Sequence, residues 1–195
     1  MGLVNGVWRT RVGYAGGDYQ DPTYADLGDQ AECVQIDFDP TVISYGELVD
    51  LMFALHDPTG NAGYGQYAYL VLAQDDEQLK VAQERAQAAG EKLGKPLTMC
   101  VELLKKFWLA EDYHQKYYLR SDPTLLAQFR AMFGNDEAAL RDSTAAMRVS
   151  GYVGQSGTQA RLAGEIASFG LTDAARAHLV SLVGETTSGG ACPLP

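Results

Sequence analysis

A glutamate at position 32 opens a stretch that alternates like a β-strand, and its position could support acid–base chemistry. Successive side chains of a strand point to opposite faces, so Glu32 shares a face with the apolar side chains of Val34, Ile36 and Phe38. We therefore expect the Glu32 carboxyl to point at the core, where a carboxyl group can keep its proton and act as a general acid. The alternative is a solvated glutamate at a frayed strand end.

A glycine-rich turn and a tyrosine-bearing loop precede this strand. Gly13, Gly16 and Gly17 permit a sharp turn with positive φ. Pro22 then fixes the backbone of the loop that presents Tyr24. We expect Tyr24 to offer an exposed phenol close in sequence to Glu32.

The cysteines are few and far apart. The chain has three of them, Cys33, Cys100 and Cys192. An odd number at wide spacing is typical of a reducing compartment and argues against a disulfide framework or a CxxC metal site. We expect a cytoplasmic protein. Cys100 falls on the more polar face of a predicted strand, where a structural role is expected.

The histidines and glycine-rich segments give no sign of a metal or cofactor. His56, His114 and His178 lie on separate predicted elements without the paired spacing of metal ligands, so we predict no metal site. The segment 151–157, GYVGQSG, has no preceding strand and no lysine, and is interpreted as a connector rather than a phosphate loop. We predict no bound cofactor.

Length and charge bound the class of protein. The chain has 195 residues, of which 46% are hydrophobic, which fits one domain with an appendage or two small domains. The net charge of −10 offers no basic stripe for a phosphate backbone, so nucleic acid is not an expected partner. No apolar run approaches the roughly 20 residues of a membrane span, and no signal-peptide pattern is present, so no membrane association is expected.

Hydrophobic periodicity predicts a mixed first part of the chain. The predicted order is strand, strand, helix, strand, helix, strand, over residues 7–12, 32–38, 44–56, 67–73, 75–93 and 97–103. This order indicates an α+β fold close to a ferredoxin-like sheet with helices, lacking that plan's first strand and helix.

From Pro123 onward the pattern is entirely helical. Helices are predicted over residues 125–133, 137–147, 159–169 and 172–183. We therefore divide the chain into an α+β domain over residues 1–121, a helical extension over 122–183 and a flexible tail over 184–195 that carries Cys192.

Four ordered blocks resemble peptide methionine sulfoxide reductase A. They are GVWRTRVGYAGG, DPTYADLGDQAECVQIDFDPTVISYGELVDLMFALHDPT, GQYAY and AEDYHQKYY, and they cover residues 6 to about 120. The helical remainder and the cysteine-bearing tail resemble the C-terminal extension of an animal-type branch of that family.

The resemblance implies a thiol mechanism with methionine sulfoxide, free or in proteins, as substrate. A thiolate attacks the sulfoxide sulfur while a glutamate and two tyrosine hydroxyls handle the oxygen and its proton, leaving methionine and a sulfenic acid. By this resemblance the catalytic set is Glu32, Tyr24 and Tyr67. Cys192 resembles the recycling cysteine of the family, which forms a disulfide with the oxidised nucleophile. Thioredoxin, or dithiothreitol in its place, then reduces that disulfide.

One part of the family pattern is missing from this sequence. The family's nucleophile lies in a Gly-Cys-Phe-Trp motif just upstream of GVWRTRVGYAGG, and no residue here corresponds to it. Cys33 follows Glu32 on the opposite strand face, and Cys100 matches no family thiol. The sequence also has Ala62 where many members have an aspartate. We therefore expect the chain as it stands, a truncated form of the reductase, to be inactive.

Two further functions stay open from the sequence. The chain could be a non-catalytic methionine sulfoxide binding protein that keeps Tyr24, Glu32 and Tyr67. It could instead dock a protein partner through the helical extension.

Overall fold

The computed structural model describes residues 1–55, 65–95 and 97–184, which form five β-strands and eight α-helices. The strands are β1 (Val7–Ala15), β2 (Ala31–Phe38), β3 (Leu70–Ala73), β4 (Cys100–Leu103) and β5 (Trp108–Leu109). The helices are α1 (Tyr45–Leu55), α2 (Asp76–Leu93), α3 (Tyr117–Arg120), α4 (Pro123–Phe133), α5 (Glu137–Asp142), α6 (Thr144–Val153), α7 (Gln159–Glu165) and α8 (Asp173–Leu182). The expected α+β class with a helical C-terminal part is confirmed.

Three predictions concern residues outside the described ranges. They are the helix end at His56, the position of Cys192 and the flexibility of the tail. Within the described ranges, no helix has the length and apolar character needed to cross a membrane.

The described strands form two small sheets. One has the order β2-β1-β5, and β1 pairs antiparallel with β5 so that Gly13 lies opposite Leu109 and Tyr14 opposite Trp108. A Cβ atom at position 13 would overlap the Phe107 ring and the Trp108 carbonyl oxygen, so this close approach requires glycine. The other sheet pairs β3 and β4 in parallel, with α2 as the crossover helix between them.

Helices α1 and α2 pack on the second sheet. The predicted capping box before α1 is confirmed, since the Glu47 carboxylate accepts from the Ser44 amide at 2.8 Å and the Ser44 hydroxyl lies 3.3 Å from the Glu47 amide. A core cluster joins the two helices to β3 through Val49, Phe53, Val71 and Ala82. Burial of these side chains drives the packing.

The helices from α3 onward share one hydrophobic core. Its largest buried members include Leu125, Phe129, Tyr152, Leu162 and Leu179. Five of these helices begin at a side chain that accepts a hydrogen bond from their first turn, and the capping residues are Asp122, Asp136, Ser143, Thr158 and Thr172.

Several predicted elements have different bounds in the structure. The single helix predicted over residues 137–147 is two helices, because Ser143 adopts extended backbone and caps α6. Helix α6 also continues to Val153, so the first residues of the predicted connector GYVGQSG are helical. The strand predicted over residues 67–73 begins only at Leu70, because a turn in which the Ala68 amide donates to the Gly65 carbonyl precedes it.

The chain divides into two compact units that are not contiguous in sequence. The helical unit contains residues Met1–Arg11, Gln35–Phe38 and the chain from Asp112 onward, and the mixed unit contains Val12–Val34 and Asp39–Glu111. The predicted boundaries after residues 121 and 183 stay predictions.

Candidate active site

The loop that carries Tyr24 is closed at its base by the last residues before β2. The Asp29 carboxylate accepts from the backbone amides of Asp18 and Tyr19, at 3.0 and 2.8 Å. These amides lower the pKa of the Asp29 carboxyl. The Gln30 side chain accepts from the Gly17 amide at 3.0 Å and donates to the Tyr19 carbonyl at 2.8 Å. Four hydrogen bonds therefore order the loop directly before the strand that presents Glu32.

Tyr24 lies at the tip of this loop. Thr23 and Asp26 exchange two backbone hydrogen bonds of 3.0 Å, which form a tight turn around it. The Tyr24 side chain is 47% exposed, as predicted for this phenol. Its backbone amide donates to the Glu111 carboxylate at 3.0 Å. The loop tip is therefore attached to the segment that follows β5.

Glu32 and the segment of Tyr67 are joined through Gln66. The Glu32 amide donates to the Gln66 carbonyl at 3.0 Å, and the Gln66 side-chain amide donates to the Glu32 carboxylate, also at 3.0 Å. Tyr67 is the next residue and its side chain is 74% exposed. This two-point contact brings two of the three predicted catalytic residues to one end of β2, while Tyr24 is placed separately by Glu111.

The expected burial of Glu32 is wrong. Glu32 is exposed, as is Val34 at 49%, whereas Ala31 is buried and Cys33 partly buried. Alternation correctly placed Glu32 and Val34 on one face. The alternation pattern does not indicate which face of β2 is covered by other elements, because the burial of a face depends on how the elements pack together. The solvated alternative is the one that the structure supports.

The Cys33 thiol is poorly suited to nucleophilic attack. Burial, with a smaller contribution from the neighbouring Glu32 charge, raises its pKa to about 11. The thiolate is the reactive form of cysteine, and at neutral pH this residue is almost entirely a thiol. Its sulfur lies 3.9 Å from the Ala15 carbonyl oxygen, a contact consistent with a weak S–H donor in a sheet.

Cys100 is also a weak candidate nucleophile. It begins β4 on the exposed side, and partial burial together with the nearby Glu102 carboxylate raises the pKa of its thiol. Its position on the more polar face agrees with the sequence prediction.

The described histidines have side-chain partners other than a metal site. The His178 imidazole lies 2.7 Å from the Asp122 carboxylate, and the His114 ring packs against the Tyr113 ring at an interplanar angle of 44°, with 4.2 Å between centroids. Over residues 1–55, 65–95 and 97–184, no group of three or more His, Cys, Asp or Glu side chains is arranged to bind a metal ion.

Comparison with known proteins identifies the family. The sequence model described as peptide methionine sulfoxide reductase matches residues 1–145, which is well over half of the chain. The chain belongs to the peptide methionine sulfoxide reductase family. The resemblance inferred from the four sequence blocks is therefore confirmed.

Curated members of the family are similar over much of their length. The peptide methionine sulfoxide reductase of Drosophila melanogaster is 36% identical over 186 residues, covering 91% of this chain and 71% of the relative. The enzyme MsrA of Sulfolobus acidocaldarius is 40% identical over 124 residues, which cover 59% of this chain and 70% of the relative.

A solved structure of the family has the same fold. The reduced form of Mxr1 from Saccharomyces cerevisiae superposes with a TM-score of 0.55 at 30% identity, covering 61% of this chain and 74% of Mxr1. The expected fold class is therefore that of the reductase family.

Sequence reasoning missed two residues that organise the site of this family member. Gln66 contacts Glu32, and Glu111 contacts the backbone of Tyr24. Both lie inside blocks that carry the family resemblance, GQYAY and AEDYHQKYY. That location was the available signal, but their partners are far away in sequence and only the fold brings them into contact.

Proposed function

We propose that this chain binds the S epimer of methionine sulfoxide, free or in proteins, and orients its oxygen for thiol-dependent reduction to methionine. The Glu32 carboxyl group and the hydroxyls of Tyr24 and Tyr67 form the set of side chains that contacts the sulfoxide oxygen. The observation that supports this most directly is the two-point contact of Gln66 with Glu32, because Tyr67 is the residue that follows Gln66 in the chain. Family membership supplies the substrate class.

The chemistry for which the sulfoxide is oriented requires an attacking thiol that neither Cys33 nor Cys100 is proposed to supply, and it transfers one oxygen atom from sulfur to sulfur. A thiolate attacks the sulfoxide sulfur while Glu32 and a phenol supply protons to the oxygen. The S–O bond of the substrate breaks, the sulfoxide sulfur gains two electrons to become a thioether, and the attacking cysteine is oxidised to a sulfenic acid. A second thiol then displaces water to form a disulfide, and the thioredoxin dithiol reduces that disulfide.

Neither described cysteine is proposed as the attacking thiol. Burial raises the pKa of both Cys33 and Cys100, which leaves little thiolate at neutral pH. We propose that this chain by itself binds the sulfoxide without turning it over, and that Cys192 is a recycling thiol for thioredoxin.

The first test is reduction of a methionine sulfoxide peptide with dithiothreitol by the 195-residue chain. We expect no turnover above the reaction without protein. Robust turnover would contradict the proposal that the chain lacks an attacking thiol. The variants Cys33→Ser, Cys100→Ser and Cys192→Ser, assayed in parallel, would then identify the thiol that serves.

The second test is binding. Titration of a peptide containing the S epimer, followed by NMR or calorimetry, should show saturable binding that the unoxidised methionine peptide lacks. Glu32→Gln should weaken it at least fivefold, because it replaces the carboxyl group that is proposed to contact the sulfoxide oxygen. Glu84→Gln is the matched control, since Glu84 is an exposed carboxylate on α2 paired only with Lys80 at 3.9 Å in the same helix. Equal affinities for all three proteins would contradict the proposed function.

A further inference from the structure

Tyr14 is a buried phenol at the C-terminal end of β1. It is 1% exposed and lies opposite Trp108 of β5 in the antiparallel pair. The pairing continues past β5, since the Ala110 amide donates to the Val12 carbonyl at 3.1 Å. The residue after Ala110 is Glu111, so its backbone starts from a segment that the sheet fixes.

The Glu111 carboxylate contacts both the buried Tyr14 phenol and the loop that carries Tyr24. The Tyr14 hydroxyl donates to one carboxylate oxygen at 2.7 Å, and the Tyr24 amide donates to the other at 3.0 Å. A hydrogen bond to an ionised carboxylate is stronger than one between neutral groups. The carboxylate thus connects the buried sheet to the tip of an exposed loop.

The contact bears on the placement of Tyr24. The loop base is closed at Asp29 and Gln30, and the turn at Thr23 and Asp26 sets the local backbone of Tyr24. Those bonds lie within the loop and at its base, whereas the bond from Tyr24 to Glu111 joins the loop tip to the segment that follows β5.

We infer that Glu111 is a positioning residue for Tyr24, holding the phenol where it can reach the sulfoxide oxygen. The inference rests on the proposed function. It adds Glu111, which acts on the site by holding the backbone of Tyr24. The role needs a side chain that can hydrogen-bond to Tyr14 and to the Tyr24 amide at the same time, and the negative charge does not enter the chemistry.

The Glu111→Gln variant tests whether the hydrogen-bonding geometry of the side chain or its negative charge is needed. Its amide oxygen can accept from the Tyr24 amide, and its NH₂ group can donate to the Tyr14 hydroxyl oxygen. Glu111→Gln should therefore bind the methionine sulfoxide peptide within about twofold of the wild-type chain. Glu111→Ala removes both contacts and should bind it about tenfold more weakly.

A double-mutant cycle identifies the residue through which Glu111 acts. If Glu111→Ala only displaces Tyr24, adding Tyr24→Phe should weaken binding no further, while adding Tyr67→Phe should weaken it as much as it does in the wild-type chain. A general loss of structure would not distinguish the two phenols. Tyr14→Phe keeps the buried ring but removes one anchor of Glu111, and should weaken binding about threefold even if Glu111→Ala fails to fold.

The outcomes separate this inference from the proposed function. If Tyr24→Phe and Glu32→Gln leave binding unchanged, the proposed function is wrong. If those variants weaken binding but Tyr14→Phe does not, or Tyr24→Phe and Glu111→Ala act additively, the positioning role is wrong. A Glu111→Gln protein that binds as poorly as Glu111→Ala would overturn it as well, because the charge would then be the property that matters.

Discussion

The helical unit and the mixed unit use polar side chains in opposite ways. In the helical unit several charged groups are partly or fully buried and hydrogen-bonded within the unit: Glu137 accepts from both Arg120 and Arg130, and the buried Lys116 ammonium donates to the Thr10 carbonyl at 2.6 Å. In the mixed unit the candidate catalytic side chains are exposed, and the bonds that place Tyr24 and Glu32 include those of their backbone amides.

This difference indicates that the charged groups of the helical unit contribute to stability, whereas the exposed side chains of the mixed unit are accessible to a ligand. A paired, partly buried charge is costly to disturb, because removing its partner leaves a desolvated group without compensation. An exposed side chain on an ordered backbone contributes little to stability but can exchange water for a ligand. Mutations in the helical unit should therefore change the free energy of unfolding, and mutations of the exposed candidate side chains in the mixed unit should change ligand affinity.

The largest effect is expected in the helical core. Phe129 is fully buried and its ring packs against Phe133 with 6.3 Å between centroids. Phe129→Ala should lower the free energy of unfolding by about 3–5 kcal/mol, because it removes apolar burial and leaves a cavity. Urea denaturation followed by circular dichroism measures this change.

Val180→Ala is the control for that measurement, since Val180 lies on α8 of the same unit and is 41% exposed. It should change the free energy of unfolding by less than about 0.5 kcal/mol. Similar losses for the two variants would mean that the helical unit does not depend on its buried core.

The next effect depends on pH and comes from Lys116. Burial lowers the pKa of its ammonium to about 8, from an ordinary value of 10.5. Between these values the unfolded chain binds a proton that the folded chain does not, so the free energy of unfolding rises with pH across this window, by up to about 3 kcal/mol. Below pH 8 both states are protonated and the term is constant.

Comparison with Lys116→Met isolates this term, because other titrating groups contribute equally to both proteins. The wild-type chain should gain stability relative to the variant from about pH 8 upward. A constant difference between pH 7 and 10 would show that Lys116 has an ordinary pKa and is not desolvated.

The sequence predicted local structure better than it predicted the site. The start of α1 at Ser44 and Glu47 and the helix over Asp76–Leu93 follow from capping and from 3.6-residue periodicity, both of which depend on near neighbours in sequence. The predicted helix over residues 137–147 failed at Ser143, where side-chain capping of the next helix outweighs continued periodicity.

The site failed in a different way. Alternation put Glu32 with Val34 on one face, and this is correct, but both are exposed, whereas Ala31 and Cys33 on the other face are buried and partly buried. Glu111 and Gln66 could not be assigned, because Tyr14 and Tyr24 are 97 and 87 positions from Glu111, and Glu32 is 34 from Gln66. Contacts of this range follow from the arrangement of elements and not from any local pattern.

A helix cap should give a smaller effect than the core. Asp136 precedes α5, and its carboxylate accepts from the Ala139 amide at 2.9 Å. Asp136→Ala should lower the free energy of unfolding by about 1 kcal/mol, since the amide loses its partner. Asp136→Asn keeps an acceptor oxygen and should stay close to the wild-type value in urea denaturation. Equal losses for alanine and asparagine would indicate that the charge, not the cap, stabilises the helix.

Substitution of Tyr67 is expected to have the smallest effect on stability. It should also show the largest contrast between the change in stability and the change in binding. Its side chain is 74% exposed, so Tyr67→Phe should change the free energy of unfolding by less than about 0.5 kcal/mol. The same variant should bind a methionine sulfoxide peptide at least fivefold more weakly, because the hydroxyl that meets the oxygen is gone. Urea denaturation and NMR titration of one protein sample measure both quantities. A loss of stability above about 1 kcal/mol with unchanged binding would reverse the comparison, since Tyr67 would then stabilise the fold and contribute nothing to recognition.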